Sequence, residues 1–365
     1  MLFVKTEDLK EGMRLAKPIY NKKGVLLYEM DSKLTRQGIE SIRNFGLIGI
    51  YMLEPAEPCP PMTEEDMEFE RFQTVAVFTI EEELTSMIKS GKAKNLYSFS
   101  DQIISKYGRL DHKINFVQNL RSREDYVYKH SFNVAILCAM MSYKMGFKNE
   151  HQIECIMSAL VHEVGKLKIT EDILRNTEEE DVDDLMYKAE FDGHKIIENV
   201  IFSMPGVKRN AAQAFSLRDA IINGKPTDHM KMVRGAKVLA VADAFDTMTA
   251  MNLKEEPLTQ VGALKHLIQN DNVYDREAID ALIASINFLP EGCSVELTNG
   301  EKGLVIASND YDIFRPVILT YHDNKLIDLR HSGIIDGLGV KDTVKRFDVR
   351  HKIDPETIKQ AQSGL

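Results

Sequence analysis

Three short stretches of this chain place imidazoles and carboxylates within apolar runs. Ala159-Leu160-Val161-His162-Glu163-Val164-Gly165-Lys166 sets an imidazole beside a carboxylate, with a lysine three residues past the acid. Upstream, His130 opens the run Val134-Ala135-Ile136-Leu137, and downstream Asp243 lies in Val238-Leu239-Ala240-Val241-Ala242-Asp243-Ala244-Phe245-Asp246. A His, a His-acid pair and an Asp on separate apolar helices is one way to gather metal ligands inside a helical bundle. Imidazole nitrogen and carboxylate oxygen suit iron, manganese or zinc alike, so the implied cofactor is a single divalent metal of unspecified identity. If the helix runs on past Glu163, i,i+4 spacing puts Lys166 on the same side as His162, where its point charge would hold a phosphate. The same residues also have a purely structural explanation. His162 and Glu163 would then be a buried hydrogen-bonded pair, Asp243 a helix brace and Lys166 a solvated charge.

The pattern resembles the HD superfamily of metal-dependent phosphohydrolases, and the surrounding sequence resembles its HD-GYP branch, whose active members hydrolyse cyclic di-GMP. The matching segments are Tyr126-Val127-Tyr128-Lys129-His130-Ser131-Phe132-Asn133-Val134, the His162 to Lys166 segment, and Val241-Ala242-Asp243-Ala244-Phe245-Asp246-Thr247-Met248-Thr249. With their flanks they span roughly half the chain. The resemblance implies metal ligation by His130, His162, Glu163 and Asp243, with Lys166 catalytic. It leaves the substrate-binding residues unassigned.

The chain departs from the family in four places. The His-Asp pair is His162-Glu163, whose extra methylene moves the carboxylate by roughly 1.5 Å, one C–C bond. A histidine four residues before a glycine becomes Ala189 when aligned on Gly193, with His194 as a weak substitute ligand. A His-His pair becomes Ser216-Leu217, and Gly-Tyr-Pro becomes Gly224-Lys225-Pro226, preceded by Ile221-Ile222. The remaining candidates suffice for one metal but not for a two-metal clamp.

Composition bounds the remaining options. At 365 residues the chain has room for two or three domains; 44% of residues are hydrophobic and 28% charged, an ordinary globular balance. A net charge of −10 argues against a nucleic-acid polymer as partner. No apolar run has membrane-spanning length, and Met1-Leu2-Phe3-Val4-Lys5-Thr6-Glu7 lacks the features of a signal peptide, so a cytoplasmic location without membrane insertion is expected. Cys59, Cys138, Cys155 and Cys293 show no metal-ligand spacing. Cys138 and Cys155 read as reduced core residues.

The fold reading is mainly α: an HD-type helical bundle with a small N-terminal α/β module and a small C-terminal antiparallel β unit. Residues 1–54 form the module, with Asn21-Lys22-Lys23-Gly24 turning between Met13–Ala16 and Val25–Tyr28, a helix capped by Asp31 or Ser32, and a strand over Gly49–Leu53. Four prolines make 55–62 a linker. A helical connector covers 63–120, starting at the acidic Glu64-Glu65-Asp66. The helical domain covers 121–290, with Met140, Met141, Met145 and Met157 filling its core and Glu178–Asp184 as a solvated loop. Residues 291–350 form the β unit around the Asn299-Gly300 turn, and 351–365 are a tail.

Two functions remain open. One is a degenerate HD-GYP-like protein of cyclic di-GMP signalling type, which binds a cyclic dinucleotide or a partner protein, as a monomer or a homodimer, and is not an efficient phosphodiesterase. The other is a metal-dependent phosphohydrolase using the reduced His/His-Glu/Asp site. There the metal lowers the pKa of a bound water, and Lys166 stabilises the phosphate charge.

Overall fold

The computed structural model describes residues 2–21, 25–53, 63–116, 118, 121–122, 125–170, 173, 176–178, 181–200, 202, 204–250, 256–309, 311–330, 337–344, 358 and 360. The proline segment 55–62 with Cys59, the turn residues 22–24 and nearly all of 351–365 lie outside the described residues.

The architecture is mainly α, with small antiparallel sheets near either end of the chain. In the N-terminal part, β1 (Leu2–Lys5) and β2 (Arg14–Leu15) flank β5 (Gly49–Leu53) in a three-stranded sheet, and β3 (Ile19–Tyr20) pairs with β4 (Leu26–Tyr28). The hairpin partner of Leu26–Tyr28 is therefore Ile19–Tyr20 and not Met13–Ala16. Arg14–Leu15 goes to β5, which buries Leu15 against Met52. Helix α1 (Arg36–Asn44) starts later than expected: the Thr35 side chain accepts from the Gly38 N–H, whereas Asp31 sits in a left-handed turn at φ 67°.

Helix α2 (Glu64–Ser90) opens on a reciprocal capping box between Thr63 and Asp66 and ends on Gly91 at φ 65°. With α3 (Leu96–Tyr107) it packs into the same core as the helices that follow, through Phe69, Ile80, Leu84, Phe99 and Ile103. Helix α4 (Tyr126–Lys144) is buried without interruption from His130 to Ser142, as befits a helix that is apolar on nearly every side. Around it lie α5 (Asn149–Val161), α8 (Arg234–Thr249) and α10 (Arg276–Ser285). Helices α6 (Val182–Asn199) and α7 (Gly206–Ile222) cover the open side. Asp183 and Asp184, expected in a loop, form the first turn of α6, where acids offset the helix dipole. Helix α9 (Gln260–Gln269) leads to a five-stranded sheet of order β10-β6-β7-β8-β9. Its strands are β6 (Ser294–Leu297), β7 (Lys302–Ala307), β8 (Val317–Thr320), β9 (Leu326–Asp328) and β10 (Val340–Thr343). The β6–β7 turn carries Gly300 at φ 86°, a backbone conformation open to glycine at no steric cost.

Two features of this frame bear on the site. After α5 the chain tightens into a 3-10 turn, Val164–Lys168, which lies backbone-to-backbone against α6. A Cβ on Gly193 would stand 2.6 Å from the Gly165 nitrogen, so the two glycines permit the approach together. The second feature is a buried lysine. Lys17, in the loop after β2, is 3% exposed; its amine meets Glu70 at 3.0 Å on α2 and donates to the Gln118 carbonyl.

Candidate metal centre

Five elements deliver the charged groups of one cluster. Helix α4 brings His130, the end of α5 with the turn after it brings His162, Glu163 and Lys166, α6 brings Glu190, α7 brings Arg218, and α8 brings Asp243 and Asp246. One donor atom each from His130, His162, Glu163 and Asp243 lie within 4.8 Å of one another.

The histidines are aimed by what their other nitrogens touch. His162 Nδ1 stands 2.7 Å from the Ala159 carbonyl, which accepts only, so Nδ1 carries the proton and Nε2 turns a lone pair to the centre. His130 Nδ1 stands 2.7 Å from Asp246 Oδ2. Asp246 is fully buried. Although burial alone would raise its pKa, Arg121 and His130 hold the carboxyl well below the usual range. Its Oδ1 accepts from Gln118 and Asn133 at 2.9 Å each, and Oδ2 accepts from Arg121 at 2.6 Å. A carboxylate that fixes a histidine's tautomer from behind is the usual support of a metal ligand.

At the centre, His130 Nε2 lies 3.2 Å from His162 Nε2, 3.1 Å from Asp243 Oδ1 and 3.7 Å from Glu163 Oε1, and His162 Nε2 lies 3.5 Å from Asp243 Oδ1. Tetrahedral donors at about 2.1 Å from an ion stand about 3.4 Å apart, so these spacings fit one ion. Without an ion, four acceptor atoms crowd together and a proton must serve instead. Burial pulls the His130 imidazole down, but Glu163, Asp243 and Asp246 outweigh it and push its pKa up to about 9. Glu163 Oε2 is buried with no hydrogen-bond partner among the described residues, a further sign of an oxygen that expects a cation. The longer glutamate is accommodated because α5 ends at Val161 and the backbone turns at Glu163 (φ −102°, ψ 14°).

Lys166 is not on a continued helix with His162. From the 3-10 turn it pairs with Glu163 and, at 2.7 Å, with Glu190. Burial lowers its pKa, but the two glutamates raise it above the ordinary value. Arg218 completes the group, 3.0 Å from Glu190, 3.5 Å from Asp243 and 3.6 Å from Glu163.

His194 does not join the donors. It stacks on Phe215 at 5.6 Å and faces Glu198, so it is no substitute ligand. Ala189 packs against Gly165, Leu217 is buried, and Ser216 donates to the Ala212 carbonyl on its own helix. Asp246, Asn133, Arg121, Gln118, Glu190 and Arg218 carried no assignment from sequence. Asp246 and Asn133 were legible in principle, since each lies three residues past a proposed ligand and so on the same helix face.

Residues 127–248 match the model of the HD domain family. This segment is an HD domain. The four clustered donors, Lys166, Glu190, Arg218 and Asp246 all fall inside it. The chain is also similar to a solved structure described as Bd1817, a HDG"Y"P protein from Bdellovibrio bacteriovorus. That likeness has 13% identity, a TM-score of 0.43, and covers 77% of this chain and 97% of the other. No protein of curated function matches the chain. HD domains bind divalent metals, in keeping with the His/His/Glu/Asp cluster. Among the described residues no helix is long and apolar enough to cross a membrane.

Proposed function

We propose that the HD domain is a single-metal phosphohydrolase of HD-GYP type acting on a phosphate ester. The observation that carries this reading is the convergence of four donors at the spacing of one ion, with both histidines aimed from behind. His130, His162, Glu163 and Asp243 would hold the metal. When bound it supplies a Lewis acid and an acidified water at neutral pH. Lys166 and Arg218 lie beside it as fixed cations. They hold the phosphate oxygens; the Lys166 charge is largely excluded from water, where a fixed cation acts most strongly, and Arg218 keeps part of its side chain in solvent. Glu190 keeps both cations in place when no phosphate is bound. Thr247 donates to Asp243 Oδ1 at 3.3 Å and steadies that ligand.

A second reading rests on Arg218. Its guanidinium already meets Glu163 and Asp243, and a cation there competes with a metal for both. On this reading the domain binds a cyclic dinucleotide or a partner protein without turnover, and the residues 1–54 module serves sensing or docking in the cytoplasm. Metal content decides between the readings. Protein purified without chelator should carry one iron, manganese or zinc per chain, and Asp243→Ala and His162→Ala should carry none. The loaded protein should then hydrolyse bis(p-nitrophenyl) phosphate, with cyclic di-GMP as the second substrate to try. A chain that takes up no metal after reconstitution with manganese or iron excludes the enzyme and leaves the binder.

A further inference from the structure

Away from the metal cluster, α5, α7 and α8 begin around a common pocket of about 380 Å³. Gly146, Lys148 and His151 line it from the start of α5, Arg209 and Asn210 from the start of α7, and Val233, Arg234 and Gly235 from the start of α8. Neither α5 nor α8 has a side-chain cap. At α8 the Val233 N–H donates to Gln213 Oε1 at 2.7 Å and the Ala236 N–H to the Val233 carbonyl; the N–H groups of residues 234–235 on α8 and 149–151 on α5, with both positive dipole ends, are left to an anion among the described residues.

The side chains agree in sign. Lys148 and Arg209 are exposed at the rim and form no ion pair among the described residues. Arg234 is committed to the Met145 carbonyl at 2.7 Å and Glu277 at 2.6 Å and lies over the Phe147 ring. Glu154 is the carboxylate in the lining, and its oxygens are already used. Oε1 accepts from the Gly206 N–H at 2.9 Å, which caps α7, and Oε2 faces His151 at 3.0 Å.

Asn210 points to a ligand independently. It is 97% buried in the pocket wall, against the missing Cβ of Gly235 (where an added Cβ would stand 2.6 Å from its Nδ2), and takes no hydrogen bond among the described residues. Its polar atoms are not among the sealed ones, so the carboxamide keeps access to the space of the pocket it lines.

We infer that this pocket is a second site, which binds a phosphate group of a small phosphorylated molecule between the α5 and α8 N-termini, Asn210, Lys148 and Arg209. Its place in the fold gives it a use. At about 1.5 Å per residue, α8 reaches Asp243 ~14 Å from the pocket, α7 reaches Arg218 ~14 Å from Arg209, and α5 reaches His162 ~20 Å away. Each helix that starts at the pocket delivers a residue to the metal cluster. The binding claim does not depend on what that cluster does.

The test is calorimetric titration of the full chain with inorganic phosphate and pyrophosphate. Asp243→Ala, which should carry no metal, should keep the binding at this pocket. The double variant Lys148→Ala/Arg209→Ala changes only exposed side chains and should bind at least tenfold more weakly, about 1.4 kcal/mol. Asn210→Ala should do the same; if it fails to fold, the exposed pair still decides. In hydrogen exchange, phosphate should slow the amides of residues 149–151 and 234–235. No binding by wild type at millimolar phosphate overturns the site. So does binding that vanishes in Asp243→Ala and persists in the Lys148/Arg209 variant, because the anion would then sit on the metal cluster.

Discussion

The two flanks of the metal cluster are built on opposite principles. On the His130 side, Asp246, Arg121, Gln118 and Asn133 are all sealed from solvent, and both Asp246 oxygens accept well-aligned donors. On the Glu163 side, two cations are shared among three carboxylates, Arg218 keeps a third of its side chain in solvent, and Glu163 Oε2 has no hydrogen-bond partner among the described residues. The first flank has one arrangement. The second has spare valence and can exchange partners without unfolding anything. A site that must position a ligand and also admit a substrate needs one flank of each kind.

The largest expected effect falls on the sealed flank. Arg121→Met should destabilise the protein by about 3–5 kcal/mol in urea denaturation, because it removes the guanidinium partner of a fully buried carboxylate. The corresponding change on the other flank, Arg218→Met, should cost less, because Lys166 still pairs with Glu163 and Glu190. Equal losses would erase the contrast. Asp246→Asn comes next. It removes the charge behind His130 and should weaken metal binding 10- to 100-fold, read by competition with a chelator dye. Arg218→Met should instead tighten metal binding and weaken phosphate inhibition, each by about tenfold, because a cation beside the ion repels it and attracts the anion. Tighter binding of both would show Arg218 to be a spacer. Gly193→Ala should push the 3-10 turn off α6 and cost about 1–3 kcal/mol by overpacking, with a further loss of phosphate affinity through Lys166.

The smallest effect marks the surface baseline. His112, half exposed, lies between Asp111 and Glu65, which raise its pKa above the ordinary value against a slight lowering by burial. A raised histidine stabilises the fold below its unfolded pKa and loses that contribution as pH rises through the folded one. His112→Ala should therefore lose about 0.5 kcal/mol or less at pH 5.5 and nothing at pH 9, after solvent screening.

The helical core was legible because its residues repeat at helical spacing, and the four donors were legible because each sits beside an apolar run. Glu190 and Arg218 were hidden for a physical reason. Each lies next to an apolar residue, Ala189 and Leu217, and only the helix phase shows that the charged neighbour faces inward. The position of Lys166 depended on where α5 stops, and nothing in Val161-His162-Glu163 announces a stop. In the N-terminal sheet, the choice of Ile19–Tyr20 over Met13–Ala16 as hairpin partner was made by β5, which lies more than thirty residues further along.

Lys17 has a practical consequence for anyone who would study the HD domain by itself. Its amine is the partner of Glu70 and reaches the Gln118 carbonyl, while the Gln118 carboxamide serves Asp246 behind His130. Trimming the first fifty-odd residues would thus expose an acid on α2 and loosen the Gln118 contact that braces Asp246 behind His130. A shortened protein that failed to load metal would be reporting on the excision, and its silence should not be read as that of the intact chain.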